Sequence, residues 1–188
     1  MKVRVIFKDS AFLYARTVII TNMALKLDDK DLAILAAIQE NCKLTARQIA
    51  KKIDSPITTV FAKIKRMEEL GIIKGYRAIL DPQRLNCSTT AFILASVSYR
   101  TKNSDVLVPQ RAVAQEIAKF PNVQEVHIIT GDWDLLIKLK AENVDSIGKF
   151  VIDKLRLVKG IEKTLTCMVF ETSKETTEIA LPLTKNRQ

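Results

Sequence analysis

The fold of this protein is decided by the stretch LTARQIAKKIDSPITTVFAKIKRMEELG, which runs from Leu44 to Gly71. Thr45 and Gln48 have the spacing of a capping box, which predicts that a short helix begins directly after Thr45. A tight turn follows, in which Ser55 is the expected N-cap of the next helix and Pro56 is its first residue. Two helices joined in this way are typical of a helix-turn-helix (HTH) motif.

The second helix of the motif, which we expect to end at Leu70, has two chemically different faces. Its apolar residues recur at helical spacing and predict a face buried in the core, formed by Ile57, Val60, Ile64 and Met67. The opposite face combines small side chains with cations, at Thr58, Thr59, Ala62, Lys63, Lys65 and Arg66. In an HTH protein this helix enters the major groove of DNA, so the second face is the predicted DNA-binding surface.

The side chains of that surface suggest separate roles. Thr58 and Thr59 are the expected base readers, because short side chains approach base edges closely. Lys43 and Arg47, near the start of the preceding helix, are expected beside phosphates. The cations expected to contact phosphate or guanine are Lys63, Lys65 and Arg66. The alternative is a three-helix bundle whose charged face contacts only water.

The residues on either side of the motif complete an N-terminal domain. Before it, Asp28 is the expected N-cap of a first helix, which should fade after Glu40. The buried face of that helix is predicted at Leu32, Leu35 and Ile38. After the motif, Gly71 is the expected C-cap, and residues 76–80 are expected to form a linking strand.

The second half of the chain has the element order βαββαβ. Strands are expected over residues 91–99, 123–130, 133–140 and 161–170, and residues 100–108 are expected to form a polar loop. Pro109 is expected to open the first helix of this half and Asn143 to cap the second. This order predicts a ferredoxin-like antiparallel sheet with both helices on one face, and an α+β class for the whole chain.

Apolar residues occupy both alternating sets of positions in the predicted strands. In the first strand, Phe92 and Leu94 alternate with Ile93 and Val97. Two helices on one face cover only one of these sets, and a monomer rarely exposes so large an apolar patch. We therefore expect a second copy of the chain to cover the other face, so that the protein is at least a dimer.

Composition narrows the class of protein. The chain has 30 Lys and Arg against 21 Asp and Glu, a formal net charge of +9, which favours a polyanionic partner. No apolar run is long enough to span a bilayer, and charges interrupt the apolar patches near the N-terminus, so we expect a cytoplasmic protein. Three separate cysteines and one histidine predict neither disulfides nor a metal site, and no cofactor is expected.

The stretch IITGDWDLLIKLKA, from Ile128 to Ala141, places Asp132 and Asp134 around a tryptophan. Gly131 and Asp132 are turn formers, so we expect a tight hairpin with a positive φ at Gly131. A catalytic carboxylate pair is a poor alternative, because only His127 is nearby and its place in a strand favours packing. We therefore predict no catalytic residue and no enzyme activity.

Four stretches in this order make the chain resemble the Lrp/AsnC family of transcriptional regulators, over roughly residues 27–183. They are LDDKDLAILAAIQENCKLTARQIAKKI, RMEELGIIKGYRAILDP, VQEVHIITGDWDLLIKL and ALPL. The first twenty-odd residues have no counterpart in the family pattern. Either translation begins at Met23 or an additional strand precedes the HTH domain.

The resemblance implies a domain organisation and a ligand. An N-terminal extension covers residues 1–26, a winged-helix-like HTH domain 27–75, and a linking strand and linker 76–90. A ferredoxin-like domain for effector binding and dimerisation covers residues 91–188. The family's glycine-aspartate turn contributes to a cleft for small molecules, typically amino acids. Transferred to this chain, the effector residues are Gly131, Asp132, Asp134, Thr164 and Thr166.

The expected function is that of a DNA-binding transcriptional regulator modulated by a small molecule such as an amino acid. Its expected partners are double-stranded DNA and further copies of itself, as a dimer, tetramer or octamer. One alternative is an effector-independent architectural protein that wraps or bridges DNA with little sequence preference. Another is a small-molecule-binding or catalytic ferredoxin-like module whose helical domain contacts protein instead of DNA. The family's usual glycine-containing turn before the recognition helix is Asp54-Ser55-Pro56 here, which weakens the transfer of individual base contacts.

Overall fold

A computed structural model describes residues 26–98, 100–101 and 104–182. These residues divide into two compact units, one formed by residues 26–78 with 177–182 and the other by residues 79–176. The expected N-terminal extension, residues 1–26, and the question of a start at Met23 lie outside the described residues, apart from Lys26. The fold class predicted from the sequence is confirmed: an N-terminal HTH unit precedes an antiparallel four-stranded sheet with helices.

The described part of the HTH unit contains the helices α1 (Asp29–Glu40), α2 (Ala46–Lys52) and α3 (Ile57–Glu69). Both expected capping residues are confirmed. The Asp28 carboxylate accepts a hydrogen bond from the Asp31 N–H (2.8 Å), and the Asp31 carboxylate accepts one from the Asp28 N–H (3.0 Å). Thr45 and Gln48 make the same reciprocal pair at α2. Such boxes satisfy N–H groups that a helix leaves unpaired and fix where it starts.

The start of α3 differs from the expectation. Pro56, not Ser55, is its N-cap, and the Ser55 hydroxyl is buried without a hydrogen-bond partner among the described residues. The reason is that Ser55 belongs to the end of α2, where its N–H donates to the Ala50 carbonyl (3.0 Å). Asp54, at φ +48°, takes the left-handed position that glycine usually occupies in this C-cap.

The three helices pack around one apolar cluster. Its buried members are Ile34, Leu35, Ala37, Ile49, Ala50, Val60 and Met67. Of the four α3 residues expected to be buried, Val60 and Met67 are buried and Ile64 is half-buried. Ile57, at the beginning of the helix, is 47% exposed. The chain returns to this unit near its end, where Leu181 packs against the cluster and Ile179 exchanges two hydrogen bonds with the Gln39 side chain.

The linking strand expected over residues 76–80 is not present in the structure. Gly71, at φ +68°, ends α3 as expected, and residues 74–81 have no regular secondary structure. A strand needs a neighbour for its backbone groups, and no described strand pairs with this segment. Ile79 is 98% exposed and Leu80 65% exposed.

The second unit contains a four-stranded antiparallel sheet in the described residues. Its strands are β1 (Thr89–Val97), β4 (Val123–Ile128), β5 (Leu135–Ala141) and β6 (Ile161–Met168), and they lie side by side in the order β4-β5-β1-β6. The helices α4 (Gln110–Ile117) and α5 (Val144–Asp153) cover one face. The expected polar loop contains a short ribbon, β2 (Arg100–Thr101) with β3 (Ser104–Leu107), because a polar sequence can still pair its backbone with itself.

The core of this unit is formed by alternate strand residues and by the inner faces of the helices. Its buried residues on β1 and β5 include Ala91, Ile93, Leu135, Ile137 and Leu139, and α5 contributes Ile147, Phe150 and Val151. Asn143 caps α5 through a hydrogen bond from the Ser146 N–H (2.8 Å), as expected. The ring of Phe120 meets that of Phe150 edge-on, with centroids 5.3 Å apart.

The opposite face of the sheet is not uniformly apolar, which corrects the expectation for β4 and β5. Phe92 and Leu94 are half-buried there, but β5 contributes Lys138 and Lys140. The Glu175 carboxylate pairs with both lysines, at 2.9 Å from the Lys140 ammonium, and Lys138 also pairs with Glu125 (3.1 Å). The segment after β6 therefore covers part of this face itself.

Candidate nucleic-acid interface and effector cleft

The exposed face of α3 includes four residues, each of which lies three or four positions from two of the others. Thr58, Phe61, Ala62 and Lys65 are exposed, whereas Val60 and Met67 on the other side are buried. Residues with this spacing lie on one face of a helix. Phe61 is 64% exposed. The sequence interpretation missed Phe61, although its position three residues after Thr58 was a sufficient signal.

Lys63 has a different role from the one its charge predicts. Its ammonium lies 2.6 Å from an Asp28 carboxylate oxygen and 2.9 Å from an Asp31 oxygen, and its side chain is 17% exposed. Asp31 is buried, with 1% of its side chain exposed. Lys63 thus ties the middle of α3 to the first turn of α1, and it is not free to meet a phosphate. We call this arrangement of Asp28, Asp31 and Lys63 the lysine clamp.

The ion pair between Lys63 and Asp28 shifts the pKa values of both groups. The hydrogen bond from Lys63, followed by that from the Asp31 N–H, lowers the pKa of Asp28 from 3.8 to about 2. Desolvation opposes the charged form of Lys63, but the hydrogen bonds to Asp28 and Asp31 outweigh it and raise the pKa of the lysine. Asp28 and Lys63 are therefore charged at neutral pH.

The other expected DNA-binding residues lie around the exposed face. Lys65 is 67% exposed and lies 3.8 Å from Glu69, a contact one turn along the helix that water screens strongly. Arg66 is 49% exposed, and one of its guanidinium nitrogens lies 3.7 Å from the Asp31 carboxylate. Thr59, near the start of the same helix, is half-buried. Lys43 and Arg47 are exposed, in the turn before α2 and in its first turn.

The turn that carries Gly131 is longer than a tight hairpin, because residues 129–134 connect β4 to β5. Gly131 has φ +120°, the positive value expected from the sequence, and both Gly131 and Asp132 are exposed. The Asp134 carboxylate is occupied internally. It accepts hydrogen bonds from the Val97 N–H (2.7 Å) and from the Gln110 side chain (3.0 Å). Asp134 therefore holds the turn against β1 and α4.

A cleft of about 560 Å³ lies beside this turn. Trp133 lines it together with Arg156 and the beginning of β6, where Thr164 is located. The Arg156 guanidinium donates to the Thr164 hydroxyl (3.4 Å). Arginine binds carboxylates well because its planar group donates two parallel hydrogen bonds. Sequence reasoning missed Trp133 as a lining residue and Arg156 altogether; no local motif marks the latter.

The structure separates the two threonines expected in the effector site. Thr166 lines a different, largely apolar cavity of about 290 Å³ between β6 and α5. Met168, Ile147 and Val151 are among its other lining residues. Both cavities share Arg156 at their border. Thr164 thus lies with Trp133, whereas Thr166 does not.

Within the described residues, no cluster of three or more His, Cys, Asp or Glu side chains is placed to hold a metal ion. No helix in the same part of the chain is long and apolar enough to cross a membrane.

Comparison with known proteins identifies both units. Residues 27–74 match the model of a winged helix-turn-helix DNA-binding domain, and residues 90–179 match that of the Lrp/AsnC ligand binding domain. An HTH-type transcriptional regulator of Pyrococcus abyssi is 43% identical over 153 residues, which cover 81% of this chain and 99% of that protein. The HTH-type transcriptional regulator FL11 of Pyrococcus horikoshii is 35% identical, over 85% of this chain and 99% of its own.

Solved structures agree with this result. A transcriptional regulator from Neisseria meningitidis, solved as a complex with L-methionine, superposes with a TM-score of 0.75 at 28% identity. That match covers 84% of this chain and 98% of the other. AsnC of Escherichia coli shares the fold, with a TM-score of 0.71 at 23% identity, over 81% of this chain and 98% of its own.

Proposed function

The chain belongs to the Lrp/AsnC family of transcriptional regulators, and on that premise we propose which residues bind DNA and which bind an effector. The DNA-binding surface is the exposed face of α3, with Thr58 and Ala62 against the bases and Lys65 against a phosphate. Lys43, Arg47 and Arg66 add phosphate contacts at its margin. The observation that supports this surface most directly is the exposure of one complete helical face that carries short side chains and a cation.

Selection from a random duplex pool tests this proposal. Wild-type protein should enrich a defined, two-fold repeated sequence, because a dimer presents two copies of α3 to two half-sites. Replacement of Thr58 and Ala62 by glutamate should abolish enrichment, whereas glutamate at the exposed Ala112 and Gln115, on α4 of the other unit, is the matched control and should not. Equal enrichment by all three proteins would show that another surface binds DNA.

We infer that the cleft beside Trp133 binds a free amino acid. The Arg156 guanidinium and the Thr164 hydroxyl suit the ligand's carboxylate. Two carboxylates are available for its ammonium, since Asp134 is occupied: Glu162, which lines the cleft, and the exposed Asp132 in the neighbouring turn. The Trp133 ring offers an apolar surface for its side chain. The complex of the Neisseria meningitidis regulator with L-methionine supports an amino acid as the class of ligand.

A thermal-shift screen of the twenty amino acids tests the effector. At least one should raise the melting temperature, and Arg156→Met should remove that shift while leaving the melting temperature without ligand unchanged. Arg84 is 87% exposed, so Arg84→Met is the matched control. An effector that stabilises the Arg156→Met protein as much as the wild type would place its site elsewhere.

We also propose that the active form is at least a dimer. Exposed apolar residues in two places support this: Ile79 and Leu80 in the linker, which pairs with no strand of the described residues, and Leu165 on the open side of β6. A second copy would cover them and would supply a strand partner for residues 76–80. Sedimentation at micromolar concentration should give at least twice the monomer mass, and a monomer would refute the proposal.

An effector-independent architectural DNA-binding protein is the second candidate. The internal hydrogen bonds of Asp134 favour it, because they remove one of the two carboxylates expected to bind an effector. Competition binding separates the candidates. A specific regulator prefers its own site over bulk DNA by roughly 10³-fold or more, whereas an architectural protein shows mainly salt-dependent affinity.

A further inference from the structure

We propose that Phe61 determines sequence specificity by packing against the 5-methyl group of a thymine in the major groove. This inference rests on the proposed DNA-binding function of α3. Phe61 adds an apolar contact, which the cations and the hydroxyl groups of that helix cannot make.

The position of Phe61 places its ring at the centre of the exposed face. Thr58 lies one turn before it and Lys65 one turn after it, and all three are exposed. Phe61 is exposed as a residue, while the apolar cluster of the unit is filled from the other side of α3 by Val60 and Met67. Phe61 is therefore not needed to complete the core, and its apolar surface remains available to a ligand.

The neighbours of Phe61 make its ring the most prominent apolar group on this face. Ala62 and Thr58 have short side chains, so the backbone of α3 can approach the floor of the groove on either side of the ring. Ile57, one turn earlier, is 47% exposed and extends the same apolar strip toward the helix start. A groove lined only by phosphates would give such a strip no favourable contact.

The chemistry of the ring defines what it can recognise. Phenylalanine has no hydrogen-bond donor or acceptor, so it cannot read the polar edges of the bases. In the major groove, the apolar feature that distinguishes one base pair from another is the thymine methyl group. Phe61 would therefore favour T over C, and would fix the orientation of the A·T pair, at one position in each half-site.

Replacement of thymine by deoxyuridine tests this directly, because it removes only the methyl group. On a site selected by the wild-type protein, one substitution in one half-site should weaken binding by roughly fourfold, the effect of burying one methyl group, and one substitution in each half-site by roughly fifteenfold. The Phe61→Ala protein should show no loss at that same position. Phe61→Leu, which keeps an apolar side chain, should retain part of the loss.

Lys65→Met is the matched control on the same face. It should bind every duplex more weakly and keep the full deoxyuridine effect, since a phosphate contact does not detect the methyl group. The inference is overturned if no thymine position is sensitive, or if Phe61→Ala keeps the sensitivity of the wild type. It is also overturned if Phe61→Ala changes only the sedimentation of the DNA-free protein, which would make Phe61 a protein contact.

These outcomes are distinct from failure of the proposed function. A protein that binds no duplex at low salt refutes both proposals. A protein that binds a selected site with the expected salt dependence, but tolerates deoxyuridine throughout, refutes only the role of Phe61.

Discussion

Replacing Lys63 by methionine should destabilise the HTH unit far more than the same change at Lys65, although both lysines lie on α3. In the Lys63→Met protein the buried Asp31 carboxylate, 1% exposed, loses an ammonium at 2.9 Å. Removal of one partner from a buried ion pair costs about 3–5 kcal/mol. Asp31 keeps the Asp28 N–H and a guanidinium nitrogen at 3.7 Å, so we expect the lower end, about 3 kcal/mol.

Lys65→Met is the control for charge and for helix propensity. The Lys65 side chain is 67% exposed, and its pair with Glu69 is of the kind that contributes about 0.3–0.5 kcal/mol. Methionine and lysine have similar helix propensities, so the difference between the two variants isolates the lysine clamp. Lys63→Arg should recover part of the loss, because it keeps a cation near both carboxylates.

Amide hydrogen exchange in α1 and α3 measures the difference in stability between the two variants within the HTH unit. Exchange protection should fall by roughly two orders of magnitude in Lys63→Met and should change little in Lys65→Met. The single tryptophan, Trp133, lies in the other unit and reports on that unit separately. If both variants lose the same protection, Lys63 is an ordinary surface lysine and the lysine clamp does not hold α3 in place.

Three further predictions concern charge, turn and packing. Because the folded pKa of Asp28 is about 2, below its ordinary 3.8, its stabilising contribution is complete above that ordinary value and is lost as pH falls toward about 2. The free energy of unfolding of the Asp28→Asn protein should therefore depend less on pH between about 2 and 3.8 than that of the wild type, as measured by denaturation at a series of acidic pH values. Asp134→Ala should destabilise the sheet unit by about 1–3 kcal/mol, since it leaves the Val97 N–H unsatisfied; urea denaturation followed by tryptophan fluorescence measures this. Gly160→Ala should destabilise the same unit by about 1–3 kcal/mol in the same assay, because Gly160 has φ +101° and a Cβ there would lie 3.0 Å from the Val108 side chain.

Much of the fold could be predicted because local signals agreed with the tertiary structure. Asp28, Thr45 and Asn143 are capping residues whose hydrogen bonds reach only three residues along the chain, so the sequence contains all the information needed. The order of strands and helices was equally visible in the spacing of apolar residues. These features fix the α+β class and the position of α3.

The features that sequence reasoning missed depend on contacts between distant residues or on competition between neighbours. Serine is a preferred N-cap residue, but the Ser55 N–H donates to the Ala50 carbonyl at the end of α2. Ser55 therefore belongs to the end of α2 and does not cap α3. Lys63 looks like the other cations of α3 in the sequence. Its burial depends on Asp28 and Asp31 at the start of α1, which the fold brings next to it.

The effector cleft shows the same limitation. Arg156 reaches Thr164 only because the short turn after α5 passes beside β6, and no spacing along the chain marks that encounter. Asp134 matches the family's acidic turn, yet its carboxylate binds Val97 and Gln110 instead of facing solvent. The linker at Ile79 could be recognised as strand-like, but no strand among the described residues pairs with it.

A salt titration of duplex binding tests the central claim, that α3 binds DNA through its exposed face, most directly. Fluorescence anisotropy of a labelled duplex should give an affinity that falls steeply with salt for the wild type. The slope of log affinity against log salt should decrease by about 1 in Lys65→Met, which loses one phosphate contact. Absence of binding at low salt, or an identical slope in the wild type and the variant, would contradict the claim.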